Sequence, residues 1–247
     1  MAGPPGTFVN LLAFDTSTET LSVAVQAGGG AAVLEHTAAG GAQASAALIP
    51  AIQELLARAG LELAGLDAIA FGRGPGSFTG LRTATAVAQG LGFGSGVPVL
   101  PIDTLLAVAE EARNACGADR IVALLDARMD EVYAAAYEHS GNGWIQRQAP
   151  ALQRPEAVEA PPGWTLAGNA VELHAARLPV GAPRCPVLPT ARALLRLAPA
   201  ALAEAGGHDA AQALPLYIRD KVAQTTEERA ADRARKDMLR GTAAGTP

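Results

Sequence analysis

IVALLDARMDEVYAAAY (Ile121–Tyr137) packs an apolar run, an aspartate, a short polar turn and a second apolar run into 17 residues. Each run has strand length, and the charged residues between them supply the turn. The start of the chain holds a counterpart: LLAF-D-TSTET-LSVAV (Leu11–Val25) lines up with VALL-D-ARMDE-VYAAA (Val122–Ala136). In both, an aspartate sits at the carboxyl end of a strand, five residues turn, and a second strand returns. Asp126 follows Asp15 by 111 residues. A period that long points to a duplicated lobe, since solenoid units repeat every 20 to about 50 residues.

Outward from the first copy, Gly28, Gly29 and Gly30 make a turn and AAVLEH (Ala31–His36) a third strand, which completes an antiparallel meander. From Ala42 to Ala59 the period changes. Leu48, Ile52, Leu55, Leu56 and Ala59 fall at helical spacing, and Gly60 is placed to stop the helix. Pro50 inside that span is expected to kink the helix or to mark its true start. LDAIAF (Leu66–Phe71) reads as a strand, GLRTATAVAQGLGFG as a helix and VPVLPI (Val97–Ile102) as another strand. Asp103 and Thr104 offer an N-cap to TLLAVAEEAR.

Beyond Trp144 the chain is proline-rich and weakly patterned. LAGNAVE (Leu166–Glu172) reads as a strand entering a helix, Thr190–Gly207 as a helix and PLYIRD (Pro215–Asp220) as a closing segment. The tail from Thr225 is charged, has no apolar face and is expected to fray. The second lobe therefore reads as smaller and less regular than the first.

Between LDAIA and the second helix lies FGRGPGSFTG (Phe71–Gly80), with four glycines and a proline in ten residues. It is not a Walker A loop, because no lysine follows any of its glycines at the required distance. The dinucleotide pattern G-x-G-x-x-G fails at Ser77 and Thr79, and a nucleophile elbow fails at Pro75. What remains is a flexible turn whose Ser77 and Thr79 hydroxyls can cap a helix starting near Gly80.

Composition bounds the rest. With 247 residues, 49% apolar and 17% charged, the chain can bury a large core in one domain or two lobes. Net charge is −5 with no basic block in the body of the chain, which disfavours a protein gripping nucleic acid by itself. Cys116 and Cys185 lie far apart without a C-x-x-C, so neither a disulfide framework nor a zinc ribbon is expected, and a reducing cytoplasm fits. His36, His139, His174 and His208 are scattered without ligand spacing and read as surface or capping residues. The first residues lack a charged n-region, and glycines and prolines interrupt the charge-free span from Thr83 to Ile102. Neither a signal peptide nor a transmembrane helix is expected.

Two lobes that each open on strand, aspartate, turn and strand resemble the actin-like ATPase and sugar-kinase superfamily. More closely, FDTSTETLSVAV, GRGPGSFTGLR with its Ala/Gly-rich helix, LLDARMDEVYAA and PLYIRD together resemble the TsaB (YeaZ) family. The resemblance runs from about Leu11 to Asp220 and is densest through Asp103. It implies a duplicated two-lobe actin-like (ribonuclease H-like) α/β fold with a reduced second lobe. The boundaries expected are 1–103, 104–224 and a tail at 225–247. It also implies a cytoplasmic, non-catalytic subunit of the machinery that makes threonylcarbamoyladenosine in tRNA. Such a subunit pairs with a TsaD-type catalytic subunit, works with a TsaE-type ATPase, forms a homodimer when alone and meets tRNA only indirectly.

The catalytic sister family carries a metal-binding His-x-x-x-His after its V-P-x-x-P strand. Here those positions hold Thr104 and Val108, and valine cannot ligate a metal. Family members usually show a histidine before the serine or threonine that opens the first long helix, where this chain has Ala44 before Ser45. Asp15 is read two ways. With Thr16 and Ser17 it forms a degenerate phosphate turn, or it closes the turn by side-chain to backbone hydrogen bonds. No cofactor is required on this reading, and ATP with magnesium would sit at the junction with the partner. Asp126 is the weaker candidate, because its turn carries Arg128, Met129 and Asp130 instead of small hydroxyl residues.

Gly80, Ala84, Ala88 and Gly92 recur every four residues and form one stripe of small side chains. The stripe either packs on the chain's own sheet or, with Ala44, Ala47 and Ala51 of the preceding helix, meets an equivalent helix pair of another subunit. On the second reading the glycine loop sets the tilt of a docking helix, and a charged residue at Ala88 abolishes pairing while the monomer stays folded. Two competing functions are a small phosphotransferase using both aspartate turns and, less well supported, a metallopeptidase; the latter lacks both His-x-x-x-His and H-E-x-x-H.

Overall fold

A computed structural model describes residues 9–28, 32–141 and 143–219. Gly29 and Gly30 of the expected turn, Asp220 and the tail from Thr225 lie outside the described residues. The first strand, β1 (Leu11–Asp15), is apolar without alternation because both its faces are covered. Leu12 and Phe14 enter one layer, while Leu11 and Ala13 enter the other. β2 (Thr20–Gln26) and β3 (Leu34–Ala39) continue from β1 antiparallel, as the meander requires. β3 begins three residues later than AAVLEH suggested. β4 (Ala68–Gly74) and β5 (Val99–Asp103) add parallel strands on the other side, giving the order β3-β2-β1-β4-β5.

Helices α1 (Ala44–Ala59) and α2 (Phe78–Ser95) cover the Leu12/Phe14 face. α1 begins at Ala44 and runs through Pro50, which therefore does not mark its start. Ser77 is the N-cap of α2 and accepts from the Gly80 amide. Both helices end on a left-handed glycine, Gly60 (φ 66°) and Gly96 (φ 74°).

The second sheet repeats the first. β6 (Arg120–Arg128), β7 (Glu131–Ser140) and β8 (Gly143–Gln153) form an antiparallel meander. β9 (Thr165–Ala167) and β10 (Arg184–Cys185) add parallel strands, and the order β10-β9-β6-β7-β8 matches the first sheet strand for strand. The duplication seen in two strands thus extends to all five. The helices do not follow. Where α1 stands in the first lobe, the second has only a 3-10 turn, Pro155–Ala157. The 18-residue α2 corresponds to α4 (Ala170–Leu173), a single turn.

The two remaining helices are exchanged between the sheets. α3 (Thr104–Cys116) follows β5 but packs on the second sheet, and α5 (Ala191–Ala205) follows β10 but packs on the first. Arg196 of α5 joins them, donating to Glu110 Oε1 (2.7 Å) and Glu111 Oε2 (2.8 Å) of α3. The Trp144 indole also donates to Glu110, at 2.9 Å. Asp103 precedes α3 without a side-chain capping bond, contrary to expectation, because its carboxylate is held by Arg73 at 2.5 Å.

Cys116 and Cys185 form a disulfide, with Cα atoms 6.5 Å apart, which corrects the expectation that they stay unpaired. Their separation of 69 residues disappears once α3 lies across the sheet edged by β10.

The hairpin joining β6 to β7 carries Arg128, Met129 and Asp130 at φ 62°, 56° and 59°. Each L side chain there costs about 1 kcal/mol relative to a residue free to adopt positive φ. Met129→Gly is expected to stabilise the chain by up to about 0.5 kcal/mol in urea unfolding, after the larger unfolded-state entropy of glycine is counted. A lower midpoint would show that the Met129 side chain, which meets Arg219, outweighs the backbone cost.

Candidate functional site

The turn after β1 and the glycine loop are built into each other. Asp15 is fully buried, and its Oδ1 accepts from the Ser17 amide (2.9 Å) and hydroxyl (2.6 Å). The Thr16 hydroxyl donates to Gly80 O at 2.7 Å, and the Ser77 amide donates to Ser17 O at 2.7 Å. Three glycines make this approach possible. A Cβ at Gly72 would strike the Asp15 carboxylate, one at Gly80 would strike Thr16 O, and one at Gly76 would lie 2.5 Å from Ser17 O. The loop's backbone freedom therefore seats the Asp15 turn. Burial pushes the Asp15 carboxyl up from its ordinary 3.8 to about 6, against the lowering effect of the Ser17 and Thr104 hydrogen bonds.

Thr104 and Val108, the positions matching the sister family's histidine pair, are both fully buried. Thr104 Oγ1 accepts from the Gly74 amide (3.1 Å) and donates to Asp15 Oδ2 (3.5 Å), while Val108 packs between α3 and the second sheet. Among the described residues no three His, Cys, Asp or Glu side chains are grouped to hold a metal ion.

The two aspartate turns face each other across a cleft of about 830 Å³. Its walls include Ser17, Thr18 and Ser77 from the first lobe and Asp126, Arg128 and Asn169 from the second. Glu19 and Arg128 form an ion pair across it. Asp126 differs from Asp15 in its partners: Asn169 Oδ1 accepts from its amide (2.9 Å), and His174 Nε2 lies 3.4 Å from its carboxylate. His174 is buried here, which corrects its reading as a surface or capping residue. The segment Leu216–Arg219 straps the cleft. The Leu216 amide donates to Arg73 O (2.7 Å), Tyr217 packs on Phe78, and Arg219 reaches Ala127 O (3.0 Å) and Glu131 (2.8 Å). Sequence reasoning placed this segment as a closing one but had no signal for Asn169, His174 or Arg219.

The small-residue stripe faces inward. Gly80, Ala84, Ala88 and Gly92 are buried beneath α2, and a Cβ at Gly92 would lie 2.8 Å from Ala210. Ala44 and Ala51 are buried and Ala47 is half-buried. In the single chain this stripe is core, so a charged residue at Ala88 disrupts folding and does not report on pairing. The outward surface is different. Ala46, Ile49, Pro50 and Gln53 of α1 and Ala86, Gly90 and Phe93 of α2 are exposed, with Ile49 at 44% and Phe93 at 66%. No charged residue occurs from Ala42 to Gln53 or from Thr83 to Ile102, so these positions form an uncharged patch, bounded by the exposed Glu54 and Arg58 of α1 and Arg82 of α2.

A duplicated pair of five-stranded mixed sheets, with aspartate turns opposed across a cleft, defines a two-lobe actin-like, ribonuclease H-like fold with a reduced second lobe. YeaZ from Pseudomonas aeruginosa superimposes with a TM-score of 0.79 at 40% identity, covering 85% of this chain and 100% of that one. The family described as "TsaD: tRNA N6-adenosine threonylcarbamoyltransferase" matches residues 35–241. The tRNA threonylcarbamoyladenosine biosynthesis protein TsaB of Escherichia coli is 39% identical over 61% of this chain and 64% of its own length. Its Haemophilus influenzae counterpart is 47% identical over 51% of this chain and 52% of its own length. The chain belongs to the TsaB (YeaZ) family, and the matched region spans about half to two thirds of those two curated relatives. No helix among the described residues is long and apolar enough to cross a membrane.

Proposed function

We propose that the chain is a cytoplasmic, non-catalytic scaffold subunit in the making of threonylcarbamoyladenosine in tRNA, pairing with a TsaD-type catalytic subunit. One observation carries this reading: the positions of the sister family's metal-binding histidines are built into the core as Thr104 and Val108, while α1 and α2 expose an uncharged patch rimmed by Glu54, Arg58 and Arg82. An uncharged, partly apolar patch with a charged rim, on two adjacent helices, suits a partner of the same construction. Alone, the chain pairs with itself through this face; with the catalytic subunit present, it exchanges into a heterodimer. A TsaE-type ATPase joins the pair, a nucleotide with magnesium sits at the subunit junction, and tRNA contacts the partner.

Light scattering of the full chain, alone and with a TsaD-type subunit, with and without ATP, tests this. The expected result is a homodimer that becomes a heterodimer. Ala86→Arg, which puts a charge on the outer face of α2, is expected to weaken both pairings roughly 100-fold while leaving the monomer folded, with the parent's unfolding midpoint at a concentration where both chains are monomeric. A strict monomer that ignores the partner yet binds magnesium-ATP at the Asp15 turn would overturn the reading in favour of a phosphotransferase.

A further inference from the structure

The chain has two cysteines, and the fold brings both to one junction. Cys116 ends α3 and is exposed, whereas Cys185 in β10 is 1% exposed among the residues packed between α3 and the second sheet. β10 is the weakest strand of its sheet. It has two residues, lies at the edge, and is paired only to β9. Directly after it, residues 186–190 carry the chain back to the first lobe, where Thr190 caps α5 and donates to Glu111 of α3. The link between Cys116 and Cys185 therefore fastens α3 to the point where the second lobe hands over to α5.

We propose that Cys116–Cys185 is a reversible thiol–disulfide site, with low-molecular-weight thiols such as glutathione as its co-reactant, that sets how firmly this junction is held. The two sulfurs are unequal in a way that orders the steps. An incoming thiolate attacks the sulfur of the exposed residue, Cys116, and forms a mixed disulfide there; the S–S bond breaks and Cys185 leaves as the thiolate, taking a proton. A second external thiolate attacks the external sulfur of the mixed disulfide and frees Cys116. In sum, one protein disulfide and two small thiols become two protein thiols and one small disulfide, and oxidation runs the same steps backwards. The reduced state has a place for its buried thiol, since Ala112 O lies 3.9 Å from Cys185 Sγ as an acceptor. Without the link, β10 is held by its two pairs with β9, the Gly168 amide's bond to Cys185 O (3.1 Å) and the Arg184 bond to Ala175 O (2.8 Å).

The test uses the full chain in a series of reduced-to-oxidised glutathione ratios, with thiol alkylation and mass spectrometry to count free cysteines. The expected result is a protein that shifts between both thiols free and both linked within that series. Cys185→Ala should accumulate a glutathione adduct at Cys116, and Cys116→Ser should give none at the buried Cys185. Reduction should lower the thermal midpoint of the native chain by roughly 10 °C, the size expected for opening a loop of this length in a chain of this size, and leave Cys116→Ser unmoved. Faster hydrogen exchange should follow at residues 184–194 and not in α1. Two thiols that stay free in oxidised glutathione, a link that resists reductant in the folded protein, or a Cys185→Ala chain that takes no adduct would each overturn the proposal.

Discussion

Gly80→Ala is expected to destabilise the chain by roughly 3 kcal/mol in urea unfolding, at the top of the usual range for overpacking. The added Cβ would lie far inside contact distance of Thr16 O, a backbone atom that has no side-chain freedom with which to yield. Gly80 itself is held on both sides, because its carbonyl accepts from the Thr16 hydroxyl at 2.7 Å and its amide donates to the Ser77 cap. Relief therefore requires the start of α2 to lift off the Asp15 turn, which breaks the Ser77–Ser17 bond as well. Gly90→Ala on the same helix is the control. Gly90 is exposed in the single chain with nothing within 4 Å of its built Cβ, so at concentrations where the chain is monomeric helix propensity alone applies, and a gain approaching 1 kcal/mol is expected. Equal, small effects of the two changes would show that loop and turn are not in the contact described.

The features that were legible in the sequence are those with a local signal. Strand, aspartate, turn and strand lie within 15 residues in each copy, so the repeat is plain in the sequence, and the decay of periodicity past Trp144 matches the missing helices of the second lobe. The direction of the small-residue stripe was not legible. Alanine and glycine every four residues look the same whether they admit the chain's own sheet or another subunit's helix. Only the exposed positions beside them, Ala86, Gly90 and Phe93, distinguish the two, and their signal is the lack of charge over a long span. The Cys116–Cys185 pairing, His174 beside Asp126 and the Arg73 claim on Asp103 are contacts between elements far apart in sequence. Each depends on topology that single-residue patterns do not carry.

The same logic bears on Asp15, which is legible as a candidate phosphate-turn residue but not as a buried carboxylate. Its partners are hydroxyls and one amide, and no cation contributes to its titration. Ionised, it is an uncompensated charge in the core. Its folded value of about 6 lies above the ordinary 3.8, so the native state holds a proton that the unfolded chain releases. Stability from this group is full below about pH 3.8 and is lost as pH rises to about 6, which costs ~3 kcal/mol at neutral pH. Asp15→Asn keeps an acceptor for Ser17 and removes the charge. It is therefore expected to be more stable than the parent at pH 7 by about 2 kcal/mol, after allowing for an amide donor that must share the Thr104 hydroxyl with Gly74. The stability difference between the two proteins should shrink steadily as pH falls from 6 towards 4, read from urea midpoints at each pH. A variant that is less stable at pH 7, with the parent's pH profile unchanged, would mean that the carboxylate is matched by a positive charge.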